Sequence, residues 1–213
     1  LGVRGKTVFV SSHLLNEVER TCTHVAILRK GRIVRQASVA DLLKKNPDVK
    51  AVIFVHSETS TCALSDGQGI AKVCRDHGAL TLVDGITSIG AIPFKMDEWG
   101  IDVAVTGSQK ALMTPPGLAF ASVSERAWAK AEQSTLPRFY WDWSRRSGAL
   151  PYQRFCGTPP LNLMAGMEAG LQLLFAEGPE AVFARHRRLA GIVHAAVAAW
   201  SSAGALDFFC SEP

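Results

Sequence analysis

The chain has 213 residues, of which 47% are hydrophobic and 20% are charged, and its formal net charge is +4. This size and composition predict a globular protein with one or two domains, and the modest, scattered charge argues against a nucleic-acid-binding protein. The five cysteines form no Cys-x-x-Cys pair, so neither a disulfide framework nor a metal site is predicted, and a reducing cytoplasm is favoured.

The N-terminal part contains short β-branched runs. Residues 7–10 predict a buried strand, Ser12 can cap a following helix, and residues 25–34 predict a hairpin that turns at Lys30 and Gly31. These patterns predict a small α/β fragment.

Residues 1–42 resemble the C-terminal part of an ABC transporter ATPase domain. By this resemblance, His13 stands where a switch histidine senses the terminal phosphate of the nucleotide. Residues 5–7, Gly-Lys-Thr, precede a predicted strand, whereas a phosphate-binding loop precedes a helix, so they are not interpreted as such a loop. The change of family around residues 40–47 predicts a fusion of two fragments, 1–42 and 43–213.

From residue 43 onwards, predicted strands and helices alternate. Such alternation is typical of a three-layer α/β sheet. The strands are predicted at residues 51–55, 79–83, 102–106 and 118–123, and the helices at residues 69–76, 125–133 and 161–175.

A long helix is predicted to begin at Pro179, after Gly178. Its basic cluster at residues 185–188 is interpreted as a solvated face, and the apolar residues 190–200 contain a histidine and are too short to span a membrane. Apolar residues at helical spacing predict a buried stripe, formed by Val182, Leu189, Val193, Ala196 and Trp200. In the preceding segment, aromatic residues are predicted to pack at a domain or subunit contact: Tyr140, Trp141 and Trp143.

Two charged side chains follow predicted strands of this segment. Asp84 directly follows one apolar run, and Lys110 lies just after another, at the edge where open α/β sheets bind ligands. A lysine that forms a Schiff base is expected to be partly buried, which lowers its pKa, and a buried carboxylate can keep a pyridine nitrogen protonated. Taken singly, an aspartate here is more often a turn or cap residue, and a lysine is more often solvated.

Four motifs make the interpretation specific. They lie at residues 55–61, 82–88, 107–117 and 157–160. Through them, the stretch from about Asn46 to the C-terminus resembles the class V aminotransferases, in particular the alanine-glyoxylate and serine-pyruvate enzymes. The resemblance implies a truncated fold-type I large domain, pyridoxal 5'-phosphate as cofactor and a homodimer with sites at the interface. It also implies amino transfer from a small amino acid, alanine or serine, to a keto acid such as glyoxylate.

The resemblance also implies individual roles. Lys110 would bind the coenzyme covalently and act as general base, and Asp84 would pair with the pyridine nitrogen. Thr59 would donate to the phenolic oxygen and Ile86 would pack on the ring. The remaining two would contact phosphate, Gln109 within the subunit and Thr158 in the neighbouring subunit.

Three further residues qualify this picture. Cys62 stands where relatives usually carry glycine in a tight turn, and Phe155 stands where several carry tyrosine. His56 precedes Thr59 in the motif, so it either lines the site or is a hydrogen-bonded structural histidine.

Two other functions stay open from the sequence. One is an ATP-binding module of a transporter, which depends on the region around His13. The other is a non-catalytic fusion fragment, because missing strands would expose sheet edges and apolar surface.

Overall fold

The computed structural model describes residues 25–29, 32–37, 48–155, 157–206 and 208. Strands β1 (Val25–Arg29) and β2 (Arg32–Ala37) pair antiparallel, with a register shift between Ile27 and Leu28. This pairing confirms the predicted hairpin. The predicted strand at residues 7–10, Ser12 and His13 lie outside the described residues.

The main sheet contains four strands in the order β3-β4-β5-β6. Strands β3, β4 and β5 run parallel, and β6 pairs antiparallel with β5. Each boundary lies within one residue of its predicted position, because each strand is a short apolar run ended by polar or glycine residues. The bounds are Ala51–Val55 for β3, Leu80–Asp84 for β4, Val103–Gly107 for β5 and Ala119–Val123 for β6.

Five α-helices accompany the sheet in the described part of the chain. The side chains of Asp66 and Ser124 cap the helices that begin at Gly67 and Glu125. Gly178, at φ 89°, ends one helix directly before Pro179 begins the next. The four-residue helix α2 was not predicted, since one turn is too short to show a periodic pattern. The helices are α1 (Gly67–Asp76), α2 (Met96–Trp99), α3 (Glu125–Glu132), α4 (Leu161–Glu177) and α5 (Pro179–Ser202). Between α3 and α4 lie short 3-10 helices at Phe139–Trp141, Trp143–Arg146 and Pro151–Arg154.

One core cluster lies between the sheet and helices α1 and α2. Phe54, Val83 and Ala104 are buried there together with Ala71 of α1. On the opposite face of β3, Ile53 is 68% exposed, so the described helices cover that face only in part. The α/β class is therefore confirmed, with incomplete cover on one side of the sheet.

A second core cluster joins α4 and α5 to the loop after β5. Leu112 of that loop is buried against Met167 and Leu174 of α4 and Val182 of α5. This cluster fixes the position of the loop that follows Lys110.

A buried carboxylate, that of Asp102 directly before β5, links neighbouring segments of the sheet through hydrogen bonds. Asp102, 1% exposed, accepts hydrogen bonds from the Thr81 amide at 2.8 Å and the Ser124 hydroxyl at 3.1 Å. The Arg126 guanidinium donates to both oxygens, from Nε at 2.9 Å and Nη2 at 2.8 Å, and Nη2 also donates to the Ala79 carbonyl. Beside this network, burial raises the pKa of the Cys74 thiol.

The predicted buried stripe of α5 is wrong beyond its first turn. Val182 is buried, whereas Leu189, Val193 and Trp200 are 47 to 60% exposed and Ala196 is half-buried. Helix α5 contacts α4 near the start of α5. The remaining apolar face of α5 has no described element packed against it, and sequence periodicity does not reveal such missing cover.

The basic cluster of α5 is largely solvated, as predicted. Arg187 and Arg188 are exposed, while Arg185 donates to both carboxylate oxygens of Glu177 at 2.7 Å and thereby lowers the pKa of that carboxyl group. None of the helices among the described residues combines the length and apolar character that a bilayer crossing requires.

Candidate active site

Five of the six predicted cofactor residues follow the carboxyl ends of three adjacent parallel strands. Parallel strands end at the same sheet edge, so the loops after β3, β4 and β5 meet there. Thr59 lies in the loop after β3. Asp84 is the last residue of β4, and Ile86 follows it. Gln109 and Lys110 follow β5.

Asp84 is half-buried and held in place by its own loop. Its Oδ1 accepts a hydrogen bond from the Ile86 amide at 3.0 Å, and its carbonyl accepts one from the His56 amide at 2.8 Å. A carboxylate has a second oxygen, which can bind a protonated ring nitrogen. Ile86, whose amide makes this bond, has a half-buried side chain.

The loop of Lys110 is closed by Ser108, which is completely buried. The Ser108 amide donates to the Leu118 carbonyl at 3.1 Å, and its hydroxyl donates to the Pro115 carbonyl at 2.7 Å. The Ser108 carbonyl accepts from the Thr114 amide at 3.0 Å. These bonds satisfy the buried polar groups of a residue only two positions before the lysine.

Lys110 itself is exposed. The predicted partial burial of Lys110 is therefore wrong in the described structure. The described residues fix the position of the lysine but shield little of its side chain from solvent. Gln109 is also exposed, and its side chain folds back on Gly107, where an added Cβ would lie 2.8 Å from Oε1.

Thr59 lies exposed at the tip of a small hairpin between β3 and α1. Within this hairpin, the Glu58 amide donates to the Ala63 carbonyl and the Cys62 amide donates to the Glu58 carbonyl, each at 2.9 Å. Cys62 has a φ of 59°, a left-handed conformation that favours glycine. The structure thus confirms the tight turn that was predicted at Cys62, where relatives usually carry glycine.

His56 belongs to the core and does not line the edge. It is 3% exposed, and its ring packs edge-on against Phe94 and Trp99, with centroids 5.3 and 5.7 Å apart. The burial and the ring contacts confirm a structural role for this histidine, and the hydrogen bond of its ring stays a prediction.

Thr158 lines an open groove of about 1650 Å³ between β6 and α4. None of the other five predicted residues lines this groove. Tyr140 and Trp141 also line this groove, with Trp141 75% exposed, whereas Trp143 stacks on Trp128 at 6.1 Å.

Residues that position the site escaped sequence reasoning. Ser108, Thr87 and Gly170 act through buried or backbone contacts and belong to no periodic pattern. The only signal for Ser108 and Thr87 was their position inside the motifs at residues 107–117 and 82–88.

Gly170 of α4 packs directly on the lysine loop, and its replacement tests that contact. A Cβ at Gly170 would lie 2.7 Å from the Leu112 carbonyl oxygen, closer than real contacts allow. We expect Gly170→Ala to destabilise the fold by about 1 to 3 kcal/mol because the loop must move. Gly166→Ala on the same helix has its nearest neighbour at 3.7 Å and is expected to stabilise by up to about 1 kcal/mol. Urea unfolding of both variants measures this; equal midpoints would contradict the contact.

The edge suits a pyridoxal phosphate ring. It offers an amine for the aldehyde, a carboxylate for the pyridine nitrogen, an apolar side chain for the ring face and a hydroxyl for the phenolic oxygen. In the described part of the chain, no group of three or more histidine, cysteine or acidic side chains is placed to hold a metal ion.

Comparisons with known proteins show what the chain is similar to. A family model described as aminotransferase class V matches residues 8–206. The small subunit of a soluble hydrogenase from Synechococcus sp. strain PCC 6716 is 46% identical over 165 residues, covering 76% of this chain and 42% of that protein. The L-aspartate–glyoxylate aminotransferase of Paracoccus denitrificans strain Pd 1222 is 44% identical over 160 residues, covering 73% and 40%.

A solved structure shows the same fold. The crystal structure of an alanine–glyoxylate aminotransferase from Nostoc sp. aligns with a TM-score of 0.63 and 31% identity, covering 71% of this chain and 42% of that one. The chain therefore spans about two fifths of the length of the relatives it matches. The comparisons lend no support to the ATPase resemblance of residues 1–42, since the family match already begins at residue 8.

Proposed function

Since the chain belongs to the aminotransferase class V family, we propose that it forms part of a pyridoxal phosphate-dependent transaminase. The observation that carries this proposal is the set of Lys110, Asp84, Ile86 and Thr59 on loops at one edge of three parallel strands.

In this proposal each side chain has a defined task, and Lys110 has two. Bound pyridoxal phosphate supplies a protonated pyridine ring that withdraws electrons from the substrate. Asp84 keeps the proton on the ring nitrogen, and Thr59 donates a hydrogen bond to the phenolic oxygen. Ile86 packs on the ring face, and Gln109 contacts the phosphate. Lys110 binds the coenzyme and then moves a proton at the substrate's alpha carbon.

We further propose a small amino acid, alanine or serine, as donor and a keto acid such as glyoxylate as acceptor. The names of the matched relatives support the acceptor, because two of them act on glyoxylate while their donors differ, aspartate in one and alanine in the other. Product analysis with each amino acid and glyoxylate tests the pair.

Reductive trapping tests the cofactor. Borohydride added with pyridoxal phosphate is expected to fix the coenzyme to the peptide that contains Lys110, as detected by mass spectrometry. Lys110→Arg keeps the positive charge and is expected to abolish trapping, because a guanidinium cannot form the bond. Lys95→Arg is the control, since Lys95 forms an exposed pair with Glu98 at 2.9 Å. Trapping that survives Lys110→Arg would refute the assignment.

We propose that the protein is a homodimer in which Thr158 contacts the phosphate of the neighbouring site. Thr158 lines a groove that Lys110 does not line, which supports this, as does the exposed aromatic surface of Phe139, Tyr140 and Trp141. A second subunit would also cover the exposed Lys110. Sedimentation velocity tests the state, with a monomer contradicting the proposal.

We propose a domain boundary between residues 42 and 43 and a cytoplasmic location. The hairpin β1-β2 forms its own sheet, which supports the boundary, and Cys62 and Cys74 are free thiols, which fits a reducing compartment. Limited proteolysis tests the boundary, and cell fractionation tests the location.

A further inference from the structure

One side chain connects the loop of Asp84 to the loop of Thr59. The hydroxyl of Thr87, three residues after Asp84, donates a hydrogen bond to the carbonyl of Ser57. Ser57 begins the hairpin of residues 57–64, and it also forms an isolated antiparallel bridge with Leu64.

Both ends of this connection are anchored. On the β4 side, the Gly85 amide donates to the Val105 carbonyl at 2.8 Å, and the Ile89 amide donates to the Gly85 carbonyl at 2.9 Å. On the β3 side, the Ser65 amide donates to the His56 carbonyl at 2.8 Å. The bond from Thr87 therefore joins two locally rigid segments.

The hairpin is also held by a bond of its own, in which the Ser60 hydroxyl donates to the Glu58 carboxylate at 2.8 Å. Thr87 is half-buried and belongs to neither core cluster, so its hydroxyl contributes little to core packing.

We propose that Thr87 is a positioning residue, which sets the place of the Thr59 hydroxyl relative to the Asp84 carboxylate through its bond to Ser57. The inference rests on the proposed function. In this inference, Thr87 determines the distance between the Thr59 hydroxyl, which binds the phenolic oxygen, and the Asp84 carboxylate, which binds the pyridine nitrogen.

Hydrogen exchange tests, without coenzyme, whether the bond from Thr87 to Ser57 holds the hairpin. Thr87→Val keeps the β-branched shape but removes the hydroxyl, and it is expected to speed exchange of the Glu58 and Cys62 amides by about fivefold to tenfold. Thr87→Ser is expected to restore slow exchange. Thr106→Ala is the control, because the Thr106 hydroxyl bonds the Gly85 carbonyl at 3.4 Å and not the hairpin. Unchanged exchange in Thr87→Val overturns the proposal.

The visible absorbance of the bound coenzyme, measured before any borohydride is added, tests the coenzyme role. A phenolic oxygen that loses a donated hydrogen bond becomes more basic and holds its shared proton more tightly. The pH midpoint of the colour change is therefore expected to rise by about one unit in Thr87→Val and to return in Thr87→Ser. An unshifted midpoint overturns the coenzyme role.

The two measurements separate the inference from the proposed function. If the unmodified chain is not trapped at Lys110, the proposed function fails, and the coenzyme role of Thr87 fails with it. The exchange comparison then still decides whether Thr87 holds the hairpin. Trapping with an unshifted midpoint and unchanged exchange refutes the inference and leaves the proposed function standing.

Discussion

Replacing Asp102 by asparagine is expected to destabilise the fold by about 3 kcal/mol, a large share of the stability of a typical domain. All side-chain bonds that the Asp102 carboxylate accepts come from N–H or O–H donors of Thr81, Ser124 and Arg126. An amide NH2 group would face one of these donors and leave the Arg126 charge without its partner. The estimate lies at the low end for buried pairs because the Arg126 side chain is 37% exposed and can turn towards water.

Urea unfolding measures this effect against a matched exposed pair. Asp76→Asn removes the partner of Lys72, which lies at 3.1 Å with both side chains more than 60% exposed. That change is expected to cost less than about 0.5 kcal/mol. Similar midpoints for the two variants would show that the Asp102 network contributes no more than a surface pair.

Replacing Asp84 by asparagine is expected to slow amino transfer by about 100-fold to 1000-fold, the loss typical for one aligned electrostatic group. An asparagine Oδ1 still accepts the bond from the Ile86 amide, so the loop keeps its shape. The neutral side chain cannot hold the pyridine nitrogen protonated, and the ring then withdraws electrons less strongly. Trapping on Lys110 is expected to persist, because it depends on the amine.

Single-turnover absorbance with an added amino acid measures that rate. Asp66→Asn is the control, since Asp66 also accepts a backbone amide, from Gly69 at 2.9 Å, and asparagine caps helices equally well. An Asp84→Asn variant that reacts as fast as Asp66→Asn would remove Asp84 from the proposed mechanism.

The sheet was predictable because its strands carry local signals. Each is an apolar run with a polar or glycine residue at its end, and helix α3 begins after a serine that caps it. The short helix α2 and the 3-10 helices carry no such period. The order of Thr59, Asp84 and Lys110 along parallel strands was predictable for the same reason, since strand direction alone brings their loops to one edge.

Exposure was less predictable than position. Lys110 follows a buried strand, and Leu189, Val193 and Trp200 recur at helical spacing, yet all four are exposed. A pattern along the chain shows which face a side chain occupies. It does not show whether another element lies against that face.

The sequence by itself determined the α/β class, the bounds of the main-sheet strands to within one residue, four of the five described helices, the hairpin of β1 and β2 and the family of the chain. Tertiary structure decided the burial of Asp102 against Arg126, the contact of Gly170 with Leu112 and the bond from Thr87 to Ser57. The physical reason is range. Strands, caps and turns are set by neighbouring residues, whereas these contacts join segments distant in sequence and exist only once the sheet and helices have packed.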